Sequence, residues 1–557
     1  MGNLGRNAMP YADVSKGNGR PGKRQALTGT LVLLLAFGLR LVQLGAGSIW
    51  YDESVSIYLA GLDLPAMVAH TAGDIHPPLY YALLHFWTLA AGQTEFSAAF
   101  FSLFFGLLLV ALTQRVASRL AGSWAGWLAA LLVAVSPFNV WYSQEIRMYT
   151  LGSFLALLST HFMTRLLDER PNASQVSRRG AWLGYVLSTA AGIYSLYYFF
   201  FLLIFHNLYA GFRLLAPRAR SLPSPEPSRC PPFLSWLSAQ AALFLFYLPW
   251  LPVAFHQATQ PPVPPWRGLT APWDALVESW TALSLGQSAE PTSLWPLLLA
   301  LVGVYALGVV SLAKDGPSAG DASHATAGIL RPAGDGATAG LLVGYTLIPL
   351  ATILAVSAFI PLYHVRYAFT YAAAFYIVLA AGLDHLRRWR GAALAIVLVV
   401  FAAGCALSLR SYFTSPAYAA DDHRSAVQFL ADRWRPGDAI LVNAGYVYPA
   451  VLYYYDSNIA WRGRLHDYTA PPSQAGAVLL QTGSIGGSPQ LGWGSPSSDF
   501  YATTEVEMAA DLDRVARLHP RLWVYRCYDT VTDPNETVRN YLDQHFLKLE
   551  DVGFAGS

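Results

Sequence analysis

Residues 26–44 read ALTGTLVLLLAFGLRLVQL, and the chain turns polar shortly afterwards at Trp50-Tyr51-Asp52-Glu53. A helix needs about 20 predominantly apolar residues to cross a bilayer, and this run is longer than the core of a secretory signal. Lys16, Arg20, Lys23 and Arg24 precede it. Basic flanks stay in the cytoplasm, so the run reads as an uncleaved signal anchor that delivers Asp52 and Glu53 to the outer face. Residues 1–25 then form a cytoplasmic tail.

The composition agrees with a membrane protein. Of 557 residues, 54% are hydrophobic and 13% charged, with a mean hydropathy of +0.35; ordinary soluble domains carry roughly 25% charged residues. A net charge of +2 and the lack of a basic tract interleaved with aromatics exclude a nucleic-acid partner. Cys230, Cys405 and Cys527 are far apart and show no spacing typical of a disulfide framework or a zinc site.

Working outward from the first helix, the chain must return to the cytoplasm. Both 77–91 and 96–116 are apolar, but if both crossed, Arg115 and Arg119 would lie outside and every later basic loop would invert. The stretch 77–91, led by Pro77 and Pro78, is therefore expected as an interfacial helix. Further spans are expected at 121–138, 148–167, 181–195, 197–213, 233–252, 293–312, 340–359, 367–386 and 392–409, about eleven in all. The basic loops 165–179, 213–229, 314–331 and 387–390 then all face the cytoplasm.

Loops 217–232 and 313–338 read as flexible linkers, and 253–292 as a mobile outer cover with aromatic interface anchors. After about residue 410 the hydropathy falls. Helical spacing at 425–434, the turn Arg435-Pro436-Gly437-Asp438, apolar runs at 439–443 and 522–526, and a helix near 536–545 predict a small extracytoplasmic α/β domain over 411–557. It carries no nucleophile elbow or phosphate loop. The expected fold class is thus a polytopic α-helical membrane domain over 26–410, with the first outer loop at 47–95, and this α/β domain behind it.

Charge parity gathers four polar groups at the outer boundary. Asp52 and Glu53 can serve as base, acid or metal ligand, or simply solvate a helix start. Asp74-Ile75-His76-Pro77-Pro78-Leu79-Tyr80-Tyr81 places His76 and Tyr81 beside a rigid Pro-Pro entry. Tyr142-Ser143-Gln144-Glu145-Ile146-Arg147-Met148-Tyr149 offers Glu145, Arg147 and Tyr149, with a Glu145–Arg147 salt bridge as the bland alternative. Tyr363-His364-Val365-Arg366-Tyr367 offers His364 and Arg366. Arginine suits an anionic phosphate, since guanidinium stays charged and binds it in a bidentate way; snorkelling to lipid headgroups competes with that use.

In this order and on one side of the membrane, these motifs resemble the GT-C class of membrane glycosyltransferases. The likeness is to the branch of protein O-mannosyltransferases and aminoarabinose transferases, and it covers roughly 26–410. The resemblance implies an inverting transfer from a polyprenyl-phosphate sugar to a lipid, polysaccharide or protein acceptor. By position it makes Asp52 the base and Glu53 its orienting neighbour, with Arg147, Arg366 and His76 on the departing phosphate. Aminoarabinose transferases tend to carry lysine where His76 stands, and eukaryotic O-mannosyltransferases have a lumenal domain absent here, which leaves the acceptor open.

A phosphate leaving group needs no cofactor, although Mg²⁺ or Mn²⁺ is compatible with acidic ligands that the sequence leaves incomplete. The expected partners are the lipid-linked donor, a lipid or glycan acceptor and membrane lipids, at the plasma membrane. The competing readings are a transporter or flippase for lipid-linked sugars, which would place ionisable groups at mid-membrane, and a non-catalytic assembly protein.

Overall fold

The computed structural model describes residues 23–167, 175–215, 232–261, 268–314, 336–455, 459–468, 477–487 and 498–555. Most of the N-terminal tail, most of the linkers expected at 217–232 and 313–338, Cys230 and the proline cluster from Pro262 to Trp266 lie outside those residues; the described linker ends are helical, with Pro232 opening one helix, Ala313 and Lys314 closing another and Ala337 opening a third.

Helix α1 (Lys23–Leu41) leads into a first loop that folds as α2 (Tyr51–Gly61), α3 (Leu64–Ala72) and α4 (Leu79–Ala91). There follow α5 (Glu95–Ala121), α6 (Ser123–Val135), α7 (Pro137–Gln144), α8 (Tyr149–Leu166), α9 (Gln175–Ser195) and α10 (Phe199–Leu215). The helical part closes with α11 (Pro232–Tyr247), α12 (Leu251–Thr259), α13 (Pro272–Leu285), α14 (Pro291–Lys314), α15 (Ala337–Ser357), α16 (Val365–Ala368), α17 (Ala372–Trp389) and α18 (Gly391–Thr414).

All eleven expected spans are helical. Among the described residues six helices are long and apolar enough to cross a membrane, and up to eight segments if each bent pair is one span. That makes an integral membrane protein, but the count of eleven is not reached by length and composition: α10, for example, is apolar yet only 17 residues long. Helix α4, with 13 residues, extends about 20 Å, short of the roughly 30 Å hydrocarbon core.

Two bends shape the bundle. α6 meets α7 at 55° and α11 meets α12 at 76°. At the first bend Pro137 has no N–H to return to the Val133 carbonyl, so the end of α6 needs another donor. Arg40, fully buried on α1, supplies it: its two terminal nitrogens donate to Val133 O (3.1 Å) and Ala134 O (2.9 Å), and its Nε donates to Ser143 Oγ (3.0 Å).

α17 is buried nearly throughout and forms the centre. It crosses α14 at Gly308 and Gly382, where an added Cβ would lie 2.0 Å from Val378 O and from Val304 O respectively. Small residues let the two backbones touch, as in membrane helix pairs generally. The expected mobile cover at 253–292 is corrected: Pro272 starts the regular helix α13, whose Ala275, Ala282, Leu283 and Leu285 are buried in the core. Trp273 alone of its expected anchors is described there, and it is exposed.

Because α18 runs to Thr414, the second domain begins a few residues later than expected. It comprises α19 (His423–Arg433), β1 (Ala439–Asn443), α20 (Tyr448–Tyr454), β2 (Ala460–Arg464), β3 (Val478–Gln481), β4 (Ser484–Ile485), β5 (Ala502–Thr503), α21 (Glu505–Leu518), β6 (Leu522–Arg526), α22 (Asp529–Thr532) and α23 (Thr537–His545). Four strands form a parallel sheet in the order β2-β3-β1-β6. Side chains alternate across it: Ile440, Val442 and Leu479 enter one core, Ala439, Leu441, Val478 and Leu480 the other.

This domain docks on the first loop. Arg424 donates to Ala46 O (3.1 Å) and Gly47 O (2.7 Å) and pairs with Glu95 (2.7 Å), while Tyr454 Oη accepts from Ile49 N–H (2.8 Å). Tyr51 and Tyr58 of α2 pack edge-on against Tyr446 and Tyr448. The α/β domain is therefore on the same side of the bundle as Asp52.

Candidate active site

The first turn of α2 holds both acidic residues, and the two do different things. Glu53 is buried; its Oε2 accepts from Trp50 N–H (3.3 Å) and its Oε1 from Ile146 N–H (3.0 Å). It closes the helix start and ties it to the α7–α8 turn, as an acidic residue at that helix position does. Burial pushes its carboxyl up to about 8, against the pull of those two N–H groups. Glu53 thus serves the helix start, as the alternative reading had it, but from a buried position and not a solvated one.

Asp52, one residue earlier on the turn, faces two guanidinium groups. Its Oδ2 accepts from Arg366 (3.0 Å), and its backbone carbonyl accepts from Arg147 (3.1 Å). Burial raises the carboxyl, but Arg147 and Arg366, with His76, outweigh it and hold Asp52 below the usual carboxylate range. It is an ionised group at neutral pH.

Arg147, only 2% exposed, also donates to Ser56 Oγ (3.4 Å) and to His76 Nε2 (2.8 Å). An arginine has only donors, so His76 accepts through Nε2 and carries its proton on Nδ1. Burial and the neighbouring Arg147 push its pKa down to about 3, leaving the ring neutral. Nε of Arg147 and the Tyr81 hydroxyl are buried without a hydrogen-bond partner. Unmet buried donors are costly and mark places where a ligand's oxygens would be welcome.

Arg366 lies 5.6 Å from the centre of the Trp50 ring and donates to Tyr149 Oη (3.3 Å). His364 caps α16, its Nδ1 accepting from Arg366 N–H (3.0 Å), and so orients Arg366 from behind. Glu145 accepts from the Trp141 indole (2.7 Å) and does not pair with Arg147, so the bland alternative for that motif fails. Burial pushes Glu145 up to about 7.

The four sequence groups thus converge: Asp52, His76, Arg147, Tyr149 and Arg366 form one connected network, Tyr81 borders it, and Glu53, Glu145 and His364 support it. Ser56 was missed; its place one helical turn after Asp52 was the available signal. A cation fits poorly beside two guanidinium groups, and among the described residues no three potential metal ligands gather at Asp52. The network's chemistry suits an anion and a proton acceptor.

Residues 75–250, under a third of the chain, match a family model described as dolichyl-phosphate-mannose-protein mannosyltransferase. That segment contains His76, Tyr81, Glu145, Arg147 and Tyr149. A search of curated proteins returns no match. Among solved structures, ArnT from Cupriavidus metallidurans in the apo state is 13% identical, covering 77% of this chain and 85% of that one with a TM-score of 0.50. Its structure bound to undecaprenyl phosphate is 12% identical with the same coverage and TM-score. At this identity the likeness establishes a shared fold, that of the GT-C membrane glycosyltransferases.

Proposed function

Starting from that fold, we propose that the protein is a glycosyltransferase. It moves a sugar from a polyprenyl-phosphate donor to a lipid, polysaccharide or protein hydroxyl at the outer membrane face. The observation that carries this reading is an ionised Asp52 bonded to Arg366 and flanked by Arg147 in the first loop of the fold. ArnT binds undecaprenyl phosphate on the same fold, and the matched family is named for a lipid-phosphate sugar donor.

In the reaction, Asp52 takes the proton from the acceptor hydroxyl as the acceptor oxygen attacks the anomeric carbon. The bond from that carbon to the phosphate oxygen breaks on the opposite side, inverting the centre, and the polyprenyl phosphate departs with the electron pair. Arg366 and Arg147 stabilise the charge that develops on it. The donor phosphate competes with Asp52 for Arg366. Donor binding therefore frees the carboxylate and raises its basicity when the acceptor is present. His76, neutral and locked by its acceptor bond to Arg147, fixes that guanidinium.

The test is transfer from a radiolabelled polyprenyl-phosphate sugar by membranes holding Asp52→Asn. Lost transfer with donor binding intact supports the reading; unchanged turnover removes Asp52 as the base.

A further inference from the structure

The α/β domain contains a buried trio unrelated to the network at Asp52. Asp421 lies just ahead of α19, His423 opens that helix, and Cys527 follows β6. One carboxylate oxygen, one imidazole nitrogen and the Cys527 Sγ lie within 4.8 Å of one another, and all three residues are buried. Nδ1 of His423 is hydrogen-bonded to the Tyr525 hydroxyl. The other ring nitrogen, Nε2, lies 3.7 Å from Asp421 Oδ2 and has no hydrogen-bond partner, although His423 is only 1% exposed.

We propose that Asp421, His423 and Cys527 bind a zinc ion that joins the start of α19 to the end of β6. Thiolate, imidazole and carboxylate are the donors zinc takes, and the sulfur disfavours magnesium and calcium. Bonds of about 2.0–2.3 Å around a tetrahedral ion place ligand atoms about 3.5 Å apart. The trio therefore closes by roughly an ångström at its widest, with the fourth position left to water. Two ligands already carry outer partners that fix their orientation, Tyr525 on His423 and Tyr528 on Asp421.

Arg424, next in sequence to His423, holds the backbone of the first loop. The ion would therefore stiffen the support on which that loop rests. No cysteine–histidine spacing announces the site, because its ligands come from opposite ends of the domain.

The full-length protein in detergent, stripped with EDTA, is titrated with Co²⁺. About one ion per chain should bind and produce thiolate-to-cobalt charge-transfer absorption, displaced by Zn²⁺. Cys527→Ser should abolish that absorption, and His423→Gln should weaken binding by about tenfold or more. Absence of cobalt binding, or charge transfer unchanged in Cys527→Ser, overturns the proposal. A reading on the unaltered chain guards against misfolded variants. Zinc added to stripped protein should raise Tm by several degrees, and an identical Tm with zinc and with EDTA overturns it too.

Discussion

The two ends of the helical bundle use the same charged groups in opposite ways. At the end away from Asp52, Asp384 is held by Arg387 and Arg388, three and four residues on along α17, and the two arginines are 35% and 44% exposed. That cluster is local to one helix: the arginine heads reach solvent while Asp384 itself is buried. At the other end, Arg366 reaches Asp52 across 314 residues of chain, with exposures of 16% and 22%, and the network it joins leaves donors unmet. An ion pair that one helix can complete by itself needs no tertiary contact to form. One assembled from separate elements, half-buried and unsaturated, has the features of a functional-site candidate.

Breaking the assembled end should have the largest effect. Asp52→Asn keeps the shape but removes the base, and transfer should fall about 10²–10⁴-fold, measured as initial rates with donor in excess. Next come Arg366→Met and Arg147→Met. A hydrogen bond to a charged group contributes about 1.5–3 kcal/mol, so donor affinity should weaken roughly 10–100-fold, read by equilibrium binding of the lipid-linked sugar. Retained affinity in both variants would dissolve the distinction between the two ends.

Glu145→Gln tests the same end by its pH dependence. The half-buried carboxyl is pushed up to about 7 in the folded protein against an ordinary value of 4.5, so the folded state holds its proton longer than the unfolded chain. Its stabilising contribution is complete below about 4.5 and lost as the pH rises through 7. Glutamine keeps the bond from Trp141 but cannot titrate, so the variant's Tm should decline less than the wild type's between those values. Arg388→Ala, at the local end, should have the smallest effect. Transfer should be unchanged, and because Arg387 still holds the buried Asp384, stability should fall by no more than about 1 kcal/mol in thermal melts.

Much of this contrast was legible in the sequence. Charge parity is a one-dimensional rule, and it was enough to bring Asp52, His76, Arg147 and Arg366 to one side. Strands β1 and β6 were visible as the apolar runs 439–443 and 522–526: β1 is buried throughout, as a central parallel strand is, while β6 lies at the sheet edge and is mostly half-buried. Other features depend on tertiary contacts that no local pattern encodes. Neighbours in sequence on the first turn of α2, Asp52 and Glu53 differ in surroundings because Arg366 arrives at one and Ile146 N–H at the other. Glu145 and Arg147 look like an ion pair, yet the turn between α7 and α8 sends them to Trp141 and His76. The segment 253–292 reads as a loop from its prolines, but Pro272 is tolerated in the first turn of α13.

Arg40 carries a consequence for how the chain is made. Its carbonyl partners on α6 emerge from the ribosome some ninety residues after it does. When α1 first enters the bilayer, the guanidinium has only the Ala36 carbonyl of its own helix as a partner, and an arginine at mid-membrane costs about 2.5–3.5 kcal/mol on insertion scales. Its place one residue from the end of α1 is where a long basic side chain can reach the headgroups. The lock between α1 and the bent pair can close only once α6 has been synthesised, which orders this one contact in time.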